Sequence, residues 1–176
     1  MALRLATRGS TLALAQANAV ADLLGGAEIV EATSDGEPGD KSRFVRGVER
    51  ELLAGRADVG VHSAKDLPAE LPEGLLIGGV PPREQPADAW IGDGERLDDV
   101  PEGARVGTSS LRRRAQLLAA RPDLEVVELH GNVDTRLRRL REGDLDAIVL
   151  AAAGLRRLGR GDGHPRLRRR VRRRLR

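Results

Sequence analysis

The sequence predicts an α/β protein whose strands alternate with helices around a largely parallel sheet. Short apolar runs such as Leu3–Thr7, Glu28–Thr33 and Asp146–Leu150 recur along the chain. Between them lie segments with apolar residues at helical spacing. One Phe, one Trp and no Tyr leave Leu, Val, Ile and Ala to fill the core.

The elements follow in order. Leu3–Thr7 reads as a strand, and Ser10 is suited to cap a helix over Thr11–Leu24 that Gly25-Gly26 ends. Glu28–Thr33 is a second strand, and Ser34–Ser42 a loop rich in Gly, Asp and Pro. Phe44, Val48 and Leu52 repeat every four residues, the face of a helix closed by Gly55. Asp58–Ser63 is expected as a strand with Val59, Val61 and Ser63 on one face, and Leu75–Val80 as another after Leu-Pro-Glu-Gly. The polar stretch Gly92–Gly103 marks a domain boundary. Arg105–Gly107 opens a second α/β unit, and Ser109 or Ser110 caps a helix to about Ala120 with a stripe of Leu111, Ala115 and Leu118. Glu125–Leu129, Val133–Arg141 and Asp146–Leu150 read as strand, helix and strand. The expected domains are 1–93 and 104–159, joined by a linker at 94–103, with a basic, patternless tail at 160–176. No internal repeat stands out.

Composition excludes several classes. Without cysteine there are no disulfides, thiolate metal sites or cysteine nucleophiles. The scarcity of aromatics argues against nucleic-acid modules built on stacked rings. The longest apolar run, Ala147–Leu155, is too short to cross a bilayer, and the N-terminus lacks an apolar signal segment, so a cytoplasmic location is expected. The net charge is only +3, and it is uneven. Residues 156–176 carry eleven Arg and one Asp on an otherwise acidic body. Such a tail could bind nucleic acid in a salt-sensitive way. The acidic body and the lack of a recognition motif make that partner unexpected.

Four segments could carry chemistry. In Val61-His-Ser-Ala-Lys-Asp-Leu-Pro68, the side chains of Ser63, Lys65 and Asp66 follow a strand, where ligands bind in open α/β sheets. Pro68 disfavours a helix just before it, which predicts a loop. Asp66 reads as an acid, base or cation stabiliser with Lys65 on a substrate anion, or else the two form a surface pair. In Gly107-Thr-Ser-Ser-Leu-Arg-Arg-Arg114, the small hydroxyl residues expose helix N–H groups, and Arg112 and Arg113 add forked donors suited to carboxylate. The bland alternative is ordinary capping beside solvated arginines. In Leu129-His-Gly-Asn-Val-Asp-Thr-Arg136, Arg136 borders the apolar face of Val133, Leu137 and Leu140, so its charge calls for a partner or a bound anion. His130 reads as a ligand or as a hydrogen-bonded structural residue. Arg8, after the first strand, is a fourth anion contact. His62, His130 and His164 show no metal-ligand spacing.

Together these segments resemble the porphobilinogen deaminase, or hydroxymethylbilane synthase, family. The resemblance rests on Leu-Arg-Leu-Ala-Thr-Arg-Gly-Ser-Thr-Leu-Ala-Leu-Ala-Gln (3–16), Val-His-Ser-Ala-Lys-Asp-Leu-Pro (61–68), Gly-Thr-Ser-Ser-Leu-Arg-Arg (107–113), Gly-Asn-Val-Asp-Thr-Arg-Leu (131–137) and Ala-Ile-Val-Leu-Ala-Ala-Ala-Gly-Leu-Arg-Arg-Leu-Gly (147–159), in family order. It implies two α/β domains like the type II periplasmic binding proteins, with the active site in a cleft between them. It also implies the linking of four porphobilinogen units with release of ammonia, on a dipyrromethane cofactor held by a cysteine of a third domain. Asp66 matches the family's catalytic aspartate. Arg8, Ser63, Lys65, Thr108, Ser109, Ser110, Arg112, Arg113, Arg136 and Arg157 match positions that hold acetate and propionate groups of cofactor and substrate.

The chain departs from the family in having no cysteine, in His130 where the family has arginine, and in a short loop before Phe44 without the Gly-Lys-Gly segment. The expectation is therefore an incomplete second domain, an absent third domain, a frameshift-like tail and a chain inactive alone. The competing reading is a two-lobed module that binds pyrrole polycarboxylates without chemistry.

Overall fold

The computed structural model describes residues 2–33, 42, 45–92 and 97–160. Phe44 and the basic tail beyond Arg160 lie outside the described residues. The chain divides into two compact units, Met1–Arg83 and Glu84–Arg176.

In the first unit, β1 (Arg4–Arg8) leads through Gly9 and Ser10 into α1 (Thr11–Leu23). Ser10 caps α1 as its sequence predicts, its Oγ accepting from the Ala13 N–H at 3.3 Å. Next come β2 (Glu28–Ala32), α2 (Arg46–Leu53) and β3 (Val59–Gly60). The strands lie in the order β2-β1-β3, all parallel. Alternation along β1 separates the two faces. Ala6 packs with Ala32, Val48 and Ala57 beneath α2. Thr7 faces α1, its hydroxyl donating to the Ala13 and Val61 carbonyls at 3.4 Å.

The second unit holds β4 (Asp88–Gly92), β5 (Arg105–Gly107), α3 (Leu111–Ala120), β6 (Glu125–Val127), α4 (Val133–Arg141), β7 (Ala147–Ala151) and α5 (Ala152–Arg157). The sheet order is β4-β7-β5-β6, with β4 antiparallel to β7 and the other pairs parallel. Both faces are covered. Ala147 and Val149 of β7 join Trp90, Val106, Leu117 and Val126 on one side. Ile148 and Leu150 join Ile91, Leu129, Leu137 and Leu155 on the other. This two-sided burial is why β7 reads as an unbroken apolar run rather than an alternating one. Gly107 sits where side chains from just past the end of β6 and just before the start of β7 close on β5: a Cβ there would meet Leu145 at 2.8 Å and Leu129 at 2.9 Å.

Four expectations need correction. Leu75–Val80 forms no strand; Leu76 and Val80 are 80% and 81% exposed, because strand-forming residues need a ladder partner that this segment lacks among the described residues. The strand over Asp58–Ser63 contracts to Val59–Gly60, although Asp58 N–H to Arg4 and Val61 N–H to Ala6 extend its hydrogen bonding on either side. Strand β4, not foreseen, precedes the expected linker and adds an antiparallel member to the second sheet. Leu111 is 81% exposed at the first position of α3, and Leu117 is the residue that helix buries.

The two units also share a device that no repeat in the sequence announces. In each, the first strand has the second on one side and the third on the other, with matching register. Leu5 pairs with Ile29 and Val59 as Val106 pairs with Val126 and Ala147. On this register Arg4-Leu-Ala-Thr matches Arg105-Val-Gly-Thr, Glu28-Ile-Val-Glu matches Glu125-Val-Val-Glu, and Asp58 matches Asp146. Each aspartate accepts the N–H of the first-strand arginine, Asp58 from Arg4 at 2.9 Å and Asp146 from Arg105 at 2.7 Å. The two threonines, Thr7 and Thr108, are the buried polar residues among those described.

Two predictions follow from this packing. Gly107→Ala overpacks the β5 end and costs about 1–3 kcal/mol, whereas Leu129→Ala leaves a cavity worth about 2–5 kcal/mol; urea unfolding measures both. The second concerns acid. Glu51, Asp58, Glu84 and Asp123 all lie below their ordinary values, chiefly through hydrogen bonds from Arg56, Arg4, Arg156 and Arg121. A carboxylate lowered by folding contributes stability above its unfolded value of about 4 and loses it as pH falls through the folded one. Thermal midpoints should therefore decline on acidification below about pH 4. Asp123→Asn should lower the midpoint at neutral pH and flatten the acid limb.

Candidate functional site

Parallel strands release their chains at one edge, so each unit gathers its post-strand residues there. In the first unit that edge carries Arg8 at the end of β1 and His62–Asp66 after β3. Ala64–Asp66 forms a single 3-10 turn, where a loop is expected, and Leu67 returns to an extended conformation, as a residue before proline must. Ser63 Oγ donates to Gln16 Oε1 of α1 at 2.9 Å, and the Asp66 N–H bonds the Ser63 carbonyl at 2.9 Å. Lys65 is exposed and Asp66 half-buried. His62 is a part-buried neighbour of both Asp66 and Arg8. Burial pushes its imidazole below the ordinary value, Asp66 opposes this, and Arg8 reinforces it. At neutral pH His62 is therefore uncharged and leaves the Asp66 carboxylate without a histidine counter-ion.

In the second unit, Thr108, Ser109 and Ser110 follow β5 at the corresponding edge. Thr108 is buried, and its Oγ1 accepts from the Ser110 N–H at 3.3 Å. Ser110 caps α3 by accepting from the Arg113 N–H at 3.4 Å. After β6, Gly131 turns the chain at φ +106°, and the Asn132 side chain caps α4 through the Thr135 N–H at 2.9 Å. The turn presents the Gly131 carbonyl to Arg136 Nε at 2.8 Å, and Arg136 Nη2 reaches Ser109 Oγ at 3.3 Å. The structure thus brings Arg136 and Ser109 together. Arg136 is half-buried, and its partners among the described residues are these neutral oxygens. Burial, then the charge of Arg113, pushes its guanidinium below the ordinary value. Desolvation and a like-charged neighbour both favour a compensating anion beside a cation.

Arg112 and Arg113 meet an acid that sequence reading passes over. Asp88, first residue of β4, accepts from Arg113 Nη2 at 2.6 Å and from Arg112 Nη2 at 3.2 Å. The signal was available only in three dimensions, since Asp88 precedes Arg112 by 24 residues and reaches this edge because β4 runs antiparallel. Gln16 was missed for the same reason. Arg157 lies exposed in the last turn of α5, near Glu84, whose ion pair is with Arg156 at 2.8 Å. No contact places Arg157 with Arg112, Arg113 or Arg136 among the described residues. His130 is 73% exposed, with Nε2 2.9 Å from Glu128 Oε1. No helix among the described residues is long and apolar enough to cross a membrane.

Comparison with known proteins adds the family. Residues 3–171 match the family model described as porphobilinogen deaminase, dipyromethane cofactor binding domain. The chain is 49% identical over 177 aligned positions to the porphobilinogen deaminase of Nitratidesulfovibrio vulgaris (strain DP4), covering 91% of this chain and 56% of that protein. It is 52% identical over 169 to that of Rubrobacter xylanophilus, covering 88% of this chain and 55% of the relative. The chain spans about half the length of the curated relatives it matches. Among solved structures it is similar to an ancestral amino acid-binding protein, AncCDT-1, at 14% identity and TM-score 0.48, covering 89% of this chain and 73% of the other. It is also similar to the GluR0 ligand-binding core in complex with L-glutamate, at 13% identity and TM-score 0.44, covering 88% and 72%. With the family model matched over nearly the whole sequence and identities near one half, this chain belongs to the porphobilinogen deaminase family.

Proposed function

We propose that the chain serves hydroxymethylbilane synthesis, the joining of four porphobilinogen units with release of ammonia in tetrapyrrole biosynthesis. The observation that carries this reading is Arg136, a half-buried guanidinium whose hydrogen-bond partners among the described residues are neutral oxygens and whose charged neighbour is Arg113. It calls for an anion, and each pyrrole of the substrate brings two carboxylates.

The roles divide by charge. Loss of ammonia from the aminomethyl arm of porphobilinogen leaves an electron-poor azafulvenium. Asp66, half-buried and beside a neutral His62, is the group suited to stabilise that cation and to accept from pyrrole N–H. Arg136, Ser109 and Arg112 take carboxylate arms, supported by the hydroxyls of Thr108 and Ser110 and by Arg113. Arg8, Ser63 and Lys65 serve the same purpose at the edge that carries Asp66, and Arg157 extends it at the end of α5.

The donor set fits the carboxylate arms of a dipyrromethane, which Arg136, Ser109 and Arg112 would hold. When bound, that group supplies the pyrrole terminus to which the next unit is joined. The covalent link does not fit, because the chain has no cysteine. Within these 176 residues no thioether to the group can form.

Two measurements test the reading. Calorimetry with porphobilinogen should show binding that Arg136→Ala weakens by about 10- to 100-fold, the worth of charge-assisted hydrogen bonds. Asp66→Asn should leave that binding within about threefold, because the amide oxygen still accepts from pyrrole N–H and the lost charge serves the cationic state; flat titrations for the unsubstituted chain would sink the proposal. Intact-mass spectrometry after incubation with porphobilinogen should return the unmodified polypeptide mass.

A further inference from the structure

Asp88 has no part in the roles above, yet it touches two of the second unit's arginines that have one. It lies opposite Ala151, the last residue of β7, so it opens β4 at the edge where β5, β6 and β7 end. Its two oxygens bridge Arg112 and Arg113 at 3.2 and 2.6 Å. Arg113 is further tied through Nη1 to the Val149 carbonyl at 3.3 Å, and its side chain is only 12% exposed. Arg112 is 60% exposed and shares Nη1 with Gln116 Oε1 at 3.0 Å. The three guanidinium groups are therefore unequal. Two share the Asp88 carboxylate, and Arg136 has no acidic partner among the described residues.

A carboxylate on the fork of an arginine pair has the chemistry of the ligand group those arginines would hold. It lowers the positive potential that a first incoming anion meets. A second carboxylate on the same molecule faces a different balance, because its effective concentration is already high once the first is seated. Such a ligand can share or displace the internal carboxylate where a lone anion cannot.

We propose that Asp88 is a specificity-determining residue, an internal counter-carboxylate that keeps Arg112 and Arg113 from single carboxylates and yields them to pyrroles that carry two or more acid arms. This inference rests on the reading of the second unit as a carboxylate site, and it adds what that site refuses.

The test uses the full chain, with acetate and porphobilinogen as probes. Arginine Nε–H signals are followed by NMR, and dissociation constants are measured by titration. In the unsubstituted chain, acetate should move the Arg136 signal and leave that of Arg113 in place, whereas porphobilinogen should move both. In Asp88→Asn, acetate should bind at least about fivefold tighter, the factor for one unit charge about 4 Å away in water-like surroundings. Its porphobilinogen affinity should rise less, so discrimination between the two falls. Asp88→Glu should restore discrimination, which a merely structural role for the β4 terminus would not require. Acetate moving Arg113 and Arg136 alike in the unsubstituted chain overturns the inference without any variant. So does acetate binding that Asp88→Asn leaves unchanged or weakens while the thermal midpoint holds. If neither probe moves any arginine signal, the carboxylate-site reading itself fails and Asp88 has nothing to select.

Discussion

Parallel pairing of the first strand with both its neighbours is the constraint on which the rest of each unit depends. Once β1 lies between β2 and β3, and β5 between β6 and β7, every chain leaves its strand at the same edge. Residues far apart in sequence are gathered there with no contribution from their own side chains. The pairing is secured at the opposite end. Asp58 receives the backbone and guanidinium of Arg4, and Asp146 the backbone of Arg105, so the third strand's start is pinned to the first's. Thr7 and Thr108, buried within the first strand or just past it, spend their hydroxyls on local backbone and so carry no unsatisfied polarity into the core.

Charge is the second organising principle. In a chain with 30 basic residues, many described arginines pair with an acid, as Arg56 does with Glu51, Arg121 with Asp123 and Arg160 with Asp134. Arg121 also binds the carbonyls of Leu97, Val100 and Pro101, which fastens the start of the second unit's loop structure to the end of α3. Against that background, Arg136 is informative because it is half-buried beside Arg113 with neutral oxygens as its hydrogen-bond partners among the described residues. The abundance of arginine alone was not, since codon bias and function leave the same composition.

Much of this could be read from the sequence wherever local signals agree. Ser10 and Ser110 cap the helices their position predicts, Val133–Arg141 forms a helix with those bounds, and the four-residue spacing of Val48 and Leu52 marks the buried face of α2. Reading failed where a partner decides the outcome. Leu75–Val80 has the residues of a strand and no ladder to join. Asp88-Ala-Trp-Ile-Gly92 has a weaker pattern and pairs fully with β7. Leu111 fits a helical stripe in one dimension, but the face that α3 presents to the core is set by Leu117 and Leu118. At the site, the place of Arg136 beside an apolar face, with its call for a partner or a bound anion, followed from spacing, because a charge bordering an apolar face is a local fact. The Asp88 bridge did not, because it exists only through the antiparallel return of β4.

The shared register of the two units also explains why their edges differ in chemistry. Val59 and Ala147 hold the same place beside the first strand, so Ser63 corresponds to Ala151 and Asp66 to Gly154. Ser63 and Ala151 have nearly the same backbone conformation, φ −72°, ψ 126° and φ −71°, ψ 122°, and each starts a helical turn. In the second unit the turn continues as α5 to Arg157, and Gly154 and Leu155 are buried against the sheet. In the first, Pro68 forbids continuation: Leu67 must turn extended, and the helix stops after Asp66. One helix start thus has two outcomes. Where it runs on, the third position is a glycine lost to packing. Where proline halts it, that position can carry a carboxylate half in solvent, at the edge, with its charge unspent on any histidine. The acid belongs to the unit whose helix is cut short, and the packed glycine to the unit whose edge is given over to arginines.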